Sequence, residues 1–397
     1  MLRVLFLSFY YTPDLCAGSF RAAALVQALQ PQLPAGSHID VLTTMPNRYS
    51  SFSAAAPEVE AGETLSIRRI SLPSHKSGMR DQSKAFLAYA RGVRAHVRSR
   101  KYDLVFATSS RLMTAVLGAS VARSQKVPLY LDIRDIFVDT IQDILPRWLA
   151  RPMGGGFSFL ERYAIGSASK VNLVSRGFEH YFSQRYPSQR FAFFPNGIDD
   201  EFIMSAPEGA GKAEAVTPPY SVLYAGNLGE GQGLHAIFPG LARAMQGQVK
   251  FTIIGDGGRK SQLKKVLDEA GTENVSLLDP VNRAALVQAY READVLFLHL
   301  NDYDAFRKVL PSKLFEYAAV GKPVWAGVAG YAAEFIETEI DNAAVFPPCD
   351  IAAAVKAFSA LKMQSTPRTD FVRKYARRNI MQALAEDIVS TGMGKRQ

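Results

Sequence analysis

The 397-residue chain has only two cysteines, Cys16 and Cys349. That is too few for a disulfide scaffold or a cysteine-rich zinc module, and it suits a reducing compartment. Its six histidines (38, 75, 96, 180, 235 and 299) are scattered, and neither H-E-x-x-H nor G-x-S-x-G occurs, so the pattern requires no metal or other cofactor. No apolar run reaches the ~20 residues of a membrane-spanning helix. Residues 1–9 have the short apolar core of a signal peptide. Tyr10-Tyr11-Thr12-Pro13-Asp14 follows where a small-residue cleavage site would stand, so a first β-strand is the better reading. With 48% apolar and 21% charged residues the chain is neither disordered nor collagen-like, and its length suggests two domains.

Acidic residues are scarce in one place. Residues 68–101 hold ten Lys and Arg against the single acidic Asp81, and this segment accounts for the whole formal charge of +9. Within it Phe86, Ala90, Val93 and Val97 recur at helical spacing, predicting a helix over 84–99 with Lys84, Arg91, Arg94, Arg98 and Lys101 mostly on other faces. A solvated helix face explains this pattern; so does docking on an anionic membrane, where each basic residue contributes about 1 kcal/mol. No aromatic-interleaved basic motif points to nucleic acid.

Strands and helices alternate along the chain. Strands are expected at 4–9, 39–43, 66–70, 104–107, 128–133 and 170–174, with helices at 20–29, 84–99, 112–123 and 157–168 between them. A turn-rich stretch at 195–220 interrupts the alternation. It restarts with strands at 220–225, 250–254, 275–277, 295–298 and 323–326, and helices at 233–245, 259–270, 283–293 and 312–320; helices are expected over 352–386. Such alternation predicts α/β domains with parallel, doubly wound sheets, whose ligands bind beyond the carboxyl ends of the strands.

Five loops at such ends carry candidate chemistry. Leu310-Pro311-Ser312-Lys313 opens a helix that Gly321 can end before Pro323. Pro311 suits its first turn and Ser312 can help cap it. Its N-terminus, with Lys313, is a ready anion site, and Glu316 one turn on can accept hydrogen bonds from vicinal hydroxyls, as a ribose diphosphate requires. The alternative is a capped helix with a solvent-facing Glu. The Gly226-Asn227-Leu228-Gly229-Glu230-Gly231-Gln232-Gly233 loop and the Gly255-Asp256-Gly257-Gly258-Arg259 turn allow close backbone approach to phosphates, though neither is a P-loop or a G-x-G-x-x-G fingerprint. In the first half, Gly18-Ser19 follows strand one. Asp132-Ile133-Arg134-Asp135 follows another strand, as candidates for sugar hydroxyls or acid–base work, or as an Asp–Arg pair that fixes a loop.

These motifs together resemble GT-B-fold retaining glycosyltransferases of family 4. P-S-K-x-x-E-Y-x-A-x-G-K-P at 311–323, I-G-D-G at 254–257 and Asn196-Gly197-Ile198-Asp199 carry the resemblance, and Arg134-Asp135 is similar to the R-D motif of a branch that assembles O-antigen, capsule or exopolysaccharide and includes N-acetylfucosamine transferases. The resemblance implies two Rossmann-like domains facing across a cleft: an acceptor domain at 1–200, a linker at 201–219, a nucleotide-sugar domain at 220–370, and a C-terminal helix at 371–397 returning to the first domain. It implies transfer from a nucleotide sugar, UDP-linked, to a polyprenyl-diphosphate-linked acceptor at the inner face of the cytoplasmic membrane. Asp132, Arg134, Asp135 and Lys308 would then serve catalysis. Gly18, Gly226, Asn227, Gln232, Gly255, Arg259, Leu310, Pro311, Ser312, Lys313 and Glu316 would hold the nucleotide sugar, and Lys84, Arg91, Arg94 and Arg98 would dock on the membrane. The chain departs from the family at several positions. Lys308 replaces the first of two glutamates eight apart, Asn227 and Gln232 replace the Arg and Lys that hold the diphosphate, Arg134 replaces a cleft histidine, and Ala17-Gly18 replaces a Gly-Gly pair. The remaining diphosphate cations are then Arg259, Lys308 and Lys313. A GT-B nucleotide-sugar epimerase and a non-catalytic membrane scaffold are the rival readings.

Overall fold

Short runs of Val, Ile, Leu and Phe, apolar on both faces, can only be satisfied inside a parallel sheet covered by helices. The chain builds two such sheets. The computed structural model describes residues 1–47, 55–73, 79–109, 111–136, 147–203 and 217–394. It divides into a first unit, Met1–Asn196 with Arg378–Gln397, and a second unit, Gly197–Arg377.

The first unit contains β1 (Arg3–Leu7), β2 (His38–Thr44), β3 (Val59–Ala61), β4 (Leu65–Ile70), β5 (Leu104–Ser109), β6 (Leu129–Ile133), β7 (Lys170–Leu173) and β8 (Phe191–Ala192). They form one sheet in the order β3-β4-β2-β1-β5-β6-β7-β8. All pairs are parallel except β3 with β4. The chain steps to opposite sides of β1 for β2 and β5, so the carboxyl end of β1 is a topological switch point. Helix Ala17–Leu29 starts there. The C-terminal helix Arg377–Met393 packs into this unit from residue 378 onward. There Asp387 accepts hydrogen bonds from the Tyr130 hydroxyl (2.6 Å) and the Lys170 amine.

The second unit contains β9 (Tyr220–Ala225), β10 (Val249–Ile254), β11 (Val275–Leu278), β12 (Val295–His299), β13 (Val324–Gly327) and β14 (Ala343–Phe346). Their order is β11-β10-β9-β12-β13-β14, parallel throughout, with the switch point between β9 and β12. One core cluster gathers Phe315, Tyr317 and Leu296; the other centres on Trp325, ringed by Phe251, Phe297, Phe346 and Phe358.

Several boundaries move. The first unit closes after Asn196, not at 200. The short helix Asp200–Ile203 joins the second unit because Phe202 is buried in that unit's core. Phe371, on helix Thr369–Tyr375, is buried in the same core, so the returning segment begins at Arg378 instead of 371. Most of the expected linker, 204–216, lies outside the described residues. The basic helix spans Met79–Val97. Its buried face holds Phe86, Ala90 and Val93 as the spacing predicts, with Ala85 and Tyr89 added, while Val97 is half-buried.

Candidate functional site

At the switch point of the second sheet the turns after β9 and β10 are knitted together. Gly226 N–H donates to Ile254 O (2.8 Å), Leu228 N–H to Asp256 O (2.9 Å), and Arg259 N–H to Leu228 O (2.8 Å). The approach is so close that a Cβ on Gly255 would lie 1.9 Å from Gly226 O. Glycine is therefore dictated by contact. At Gly226, whose φ is +143°, a Cβ would lie 2.1 Å from Lys313 Nζ.

Lys313 is thus turned inward. Its amine donates to Tyr224 Oη at 2.8 Å and stands 4.1 Å from that ring's centroid. Burial lowers its pKa to about 7, with Glu316 working the other way. The Tyr224 hydroxyl donates in turn to Asn227 O (2.7 Å). Asn227 Nδ2 donates to Gln232 Oε1 (2.8 Å), which also accepts from Gly229 N–H (3.2 Å). The two positions that hold cations in the resembling family therefore form a neutral amide pair bracing the loop. Arg259 lies just before helix Lys260–Glu269, and its guanidinium is taken by Glu230 (2.5 Å) and Gln262 (2.7 Å).

Helix Lys313–Val320 ends at Gly321, left-handed at φ +78°. Ser312 does not cap it: its own backbone is already helical (φ −61°, ψ −32°) and its side chain makes no capping bond. Pro311 and Ser312 are half-buried. The Leu310 side chain is buried in the core cluster, so only its backbone is left for a ligand. Glu316 is not solvent-facing, its side chain being 13% exposed. Oε2 accepts from Tyr290 Oη (3.1 Å) and Oε1 lies 3.8 Å from Arg283. Burial raises its pKa against the pull of Arg283. Arg283 also pairs with Asp199, in the Asn-Gly-Ile-Asp segment. Lys308 ends the short turn Phe306–Lys308 and is half-buried.

His299 was not legible as anything but a lone histidine. It is fully buried and joins three loops: Nδ1 donates to Gln232 O (2.7 Å) and Nε2 accepts from Cys349 N–H (3.0 Å). Burial pulls its pKa to about 4, so it is the neutral tautomer that holds the loop.

In the first unit, Asp132 is not placed to touch a sugar. Its partner is Arg21, not Arg134. Arg21 Nε and Nη2 reach Oδ2 and Oδ1 at 3.0 and 2.9 Å, both side chains being 1% exposed. Asn172 (2.7 Å) and Thr108 (3.2 Å) complete the carboxylate's shell. Arg21 also donates to Pro195 O (2.5 Å) and Phe194 O (2.9 Å). Burial works against ionisation of Asp132, but Arg21 holds its pKa below the ordinary value. This is a clamp across the carboxyl ends of β5, β6 and β7. Arg134 is half-buried; among the described residues its Nη1 has no hydrogen-bond partner, and burial lowers its pKa against the pull of Asp132. Asp135 is exposed. Gly18 lies buried in the first turn of Ala17–Leu29, a helix with no side-chain cap. On Met79–Val97 and just beyond it, Lys84, Arg91, Arg94 and Arg98 are all exposed, and Leu87 between them is 52% exposed. Within the basic segment Arg69 is buried on Glu60 and the carbonyls of Pro57 and Thr12. Lys76 lies outside the described residues.

Among the described residues, no three His, Cys, Asp or Glu side chains gather as they would for a metal, and no helix is long and apolar enough to cross a membrane.

Residues 19–197 match the Glycosyl transferase 4-like domain and residues 210–378 match Glycosyl transferases group 1. A curated relative is the putative colanic acid biosynthesis glycosyl transferase WcaI of Escherichia coli K12, 28% identical over 167 residues; the match spans 41% of each chain. Solved structures share the fold over essentially the whole length. Sucrose-phosphate synthase from Thermosynechococcus elongatus has a TM-score of 0.68 at 16% identity, covering 100% of this chain and 99% of that one. Anabaena HepE in complex with UDP-glucose has 0.60 at 17%, covering 99% and 98%. WaaG, a glycosyltransferase involved in lipopolysaccharide biosynthesis, has 0.61 at 14%, covering 99% and 98%. The fold is GT-B.

Proposed function

We propose, starting from a chain that carries both glycosyltransferase domains of the GT-B fold, that it transfers a hexosyl or N-acetylhexosaminyl group from a UDP-sugar, with retention, to a polyprenyl-diphosphate-linked saccharide in bacterial surface polysaccharide assembly. The observation that carries this reading is the junction of the Gly226 and Gly255 turns, directly over the Lys313 amine at the start of helix Lys313–Val320. Support for the donor comes from HepE, solved with UDP and UDP-glucose; support for the pathway comes from WcaI and WaaG.

In this reading the backbone at Gly226, Asn227 and Gly255 approaches the diphosphate, and the N-terminal turn at Pro311 and Ser312 adds its dipole. Glu316 receives the ribose hydroxyls while Tyr290 and Arg283 keep its carboxylate in place. Lys308 stands towards the donor sugar. Departure of the diphosphate builds negative charge, and preorganised N–H groups with a buried cation stabilise it. The leaving diphosphate takes the proton of the acceptor hydroxyl, so no protein nucleophile is needed. From the first unit, Arg134, Asp135 and the Gly18 turn serve the sugars, held in place by the Arg21–Asp132 clamp. The exposed Lys84, Arg91, Arg94 and Arg98 dock the protein on the anionic inner face of the cytoplasmic membrane.

Incubation with UDP-sugars, with and without acceptor, tests this. UDP release and a lengthened acceptor support it; an isomerised UDP-sugar formed without acceptor assigns an epimerase instead. Calorimetry showing no affinity for any nucleotide sugar leaves a scaffold.

A further inference from the structure

The UDP reading leaves the diphosphate short of cations. Asn227 and Gln232 are bonded to one another, and Arg259 is drawn to Glu230 and Gln262. Lys313 is the candidate whose charge lies at the Gly226 turn, but it comes from below. Its Cε and Nζ fill the space where a Gly226 side chain would begin, 2.4 and 2.1 Å from a Cβ placed there. A lysine has four flexible carbons, so something must fix the end in that place.

Among the described residues, that amine's hydrogen-bond partner is Tyr224 Oη. Tyr224 is the penultimate residue of β9, 1% exposed, so strand pairing and core packing hold its ring. The ring offers its face to the ammonium at 4.1 Å, and the hydroxyl accepts from Nζ while donating to Asn227 O, 2.7 Å away. One rigid phenol thus ties the charge to the peptide that faces the ligand.

We infer that Tyr224 is a positioning residue for the donor diphosphate, pinning the Lys313 ammonium beneath the Gly226–Asn227 peptide so that one buried charge serves where Asn227 and Gln232 have none. This rests on the UDP reading of the same loop. Tyr224 does not touch the ligand; it acts through Lys313 and through the Asn227 carbonyl. The effect is confined to the phosphates, because uracil and ribose gain nothing from a charge under the Gly226 turn.

Ligand-observed NMR titration of the full-length protein with UDP and with uridine separates this from a packing role. Tyr224→Phe keeps the ring and removes the hydroxyl; a hydrogen bond to a charged group makes this about a tenfold loss of UDP affinity. Lys313→Met removes the charge and should lose more. Uridine affinity should stay within about twofold in both, which also shows that the variants are folded. Equal weakening of UDP and uridine, or no change in either, overturns the inference. Wild-type protein that binds uridine and UDP equally, or neither, removes the UDP reading itself, and the inference with it; that outcome is seen before any variant is made.

Discussion

Replacing Arg21 by methionine removes the charged partner of Asp132 while keeping most of the apolar stem. Among the described residues, Asp132 then keeps the hydrogen bonds from Asn172 at 2.7 Å and Thr108 at 3.2 Å and the more distant charge of Arg134, and the carbonyls of Phe194 and Pro195 lose their guanidinium donor. Both partners are 1% exposed, so water cannot take over. Removing one member of a buried pair costs about 3–5 kcal/mol; the two remaining donors favour the lower end. Asp132→Asn alone should also destabilise, by leaving Arg21 buried without a counter-charge. The double variant should be no worse than either single one, giving a coupling of at least about 2 kcal/mol. Two units need not unfold together, so the readout should be local: amide hydrogen exchange of Leu104–Ser109, Leu129–Ile133 and Lys170–Leu173. Single variants should exchange in these strands at least a hundredfold faster than wild type, at a free-energy cost near 3 kcal/mol. Additive effects in the cycle, or a change below tenfold, would refute the clamp and return Asp132 to the set of groups free to meet a sugar.

His299 makes the second unit acid-sensitive. Its ordinary value is 6.5 and burial takes it to about 4, so between these values the unfolded chain binds more protons. Its contribution is intact above pH 6.5 and is lost as the pH falls towards 4, up to about 3 kcal/mol; His299→Gln should flatten that part of the stability–pH curve. Trp325→Ala, at a fully buried site ringed by four phenylalanines, should cost about 3–5 kcal/mol in urea unfolding of the second unit. Reversing Lys84, Arg91, Arg94 and Arg98 to Glu should abolish sedimentation with anionic liposomes, at about 1 kcal/mol per residue removed. Wild-type sedimentation should fade with added salt; binding that survives high salt unchanged contradicts peripheral docking.

The legible features were those written in neighbouring residues. Alternating apolar runs located most strands because a parallel sheet buries both faces, and Gly321 before Pro323 marked a helix end that is left-handed in the structure. Weaker local signals were missed. β3 and β8 are three and two residues long, and β14 and helix Tyr331–Glu339, four and nine residues long, are too short for a period to stand out. At the site, motif spacing located the glycine turns but not what their side-chain space is for. The partner of Asp132 is 111 residues away, so proximity in sequence suggested Arg134 instead. Tyr224 reads as one more apolar strand residue, and Lys313 as a cation added to a helix start. Only the meeting of β9 with helix Lys313–Val320 turns the lysine inward and gives the phenol a purpose. His299 works through backbone groups of Gln232 and Cys349, which carry no signature in sequence.

The proposed reaction is transfer of a sugar from a UDP-linked donor. It is tested most directly by mass spectrometry and anomeric NMR of a synthetic polyprenyl-diphosphate saccharide, incubated with the full-length protein and a panel of UDP-sugars. The expected outcome is addition of one hexose or N-acetylhexosamine with the donor's anomeric configuration kept, and release of UDP in equal amount. An unaltered acceptor across the panel, with the UDP-sugars unconsumed or merely isomerised, would contradict it.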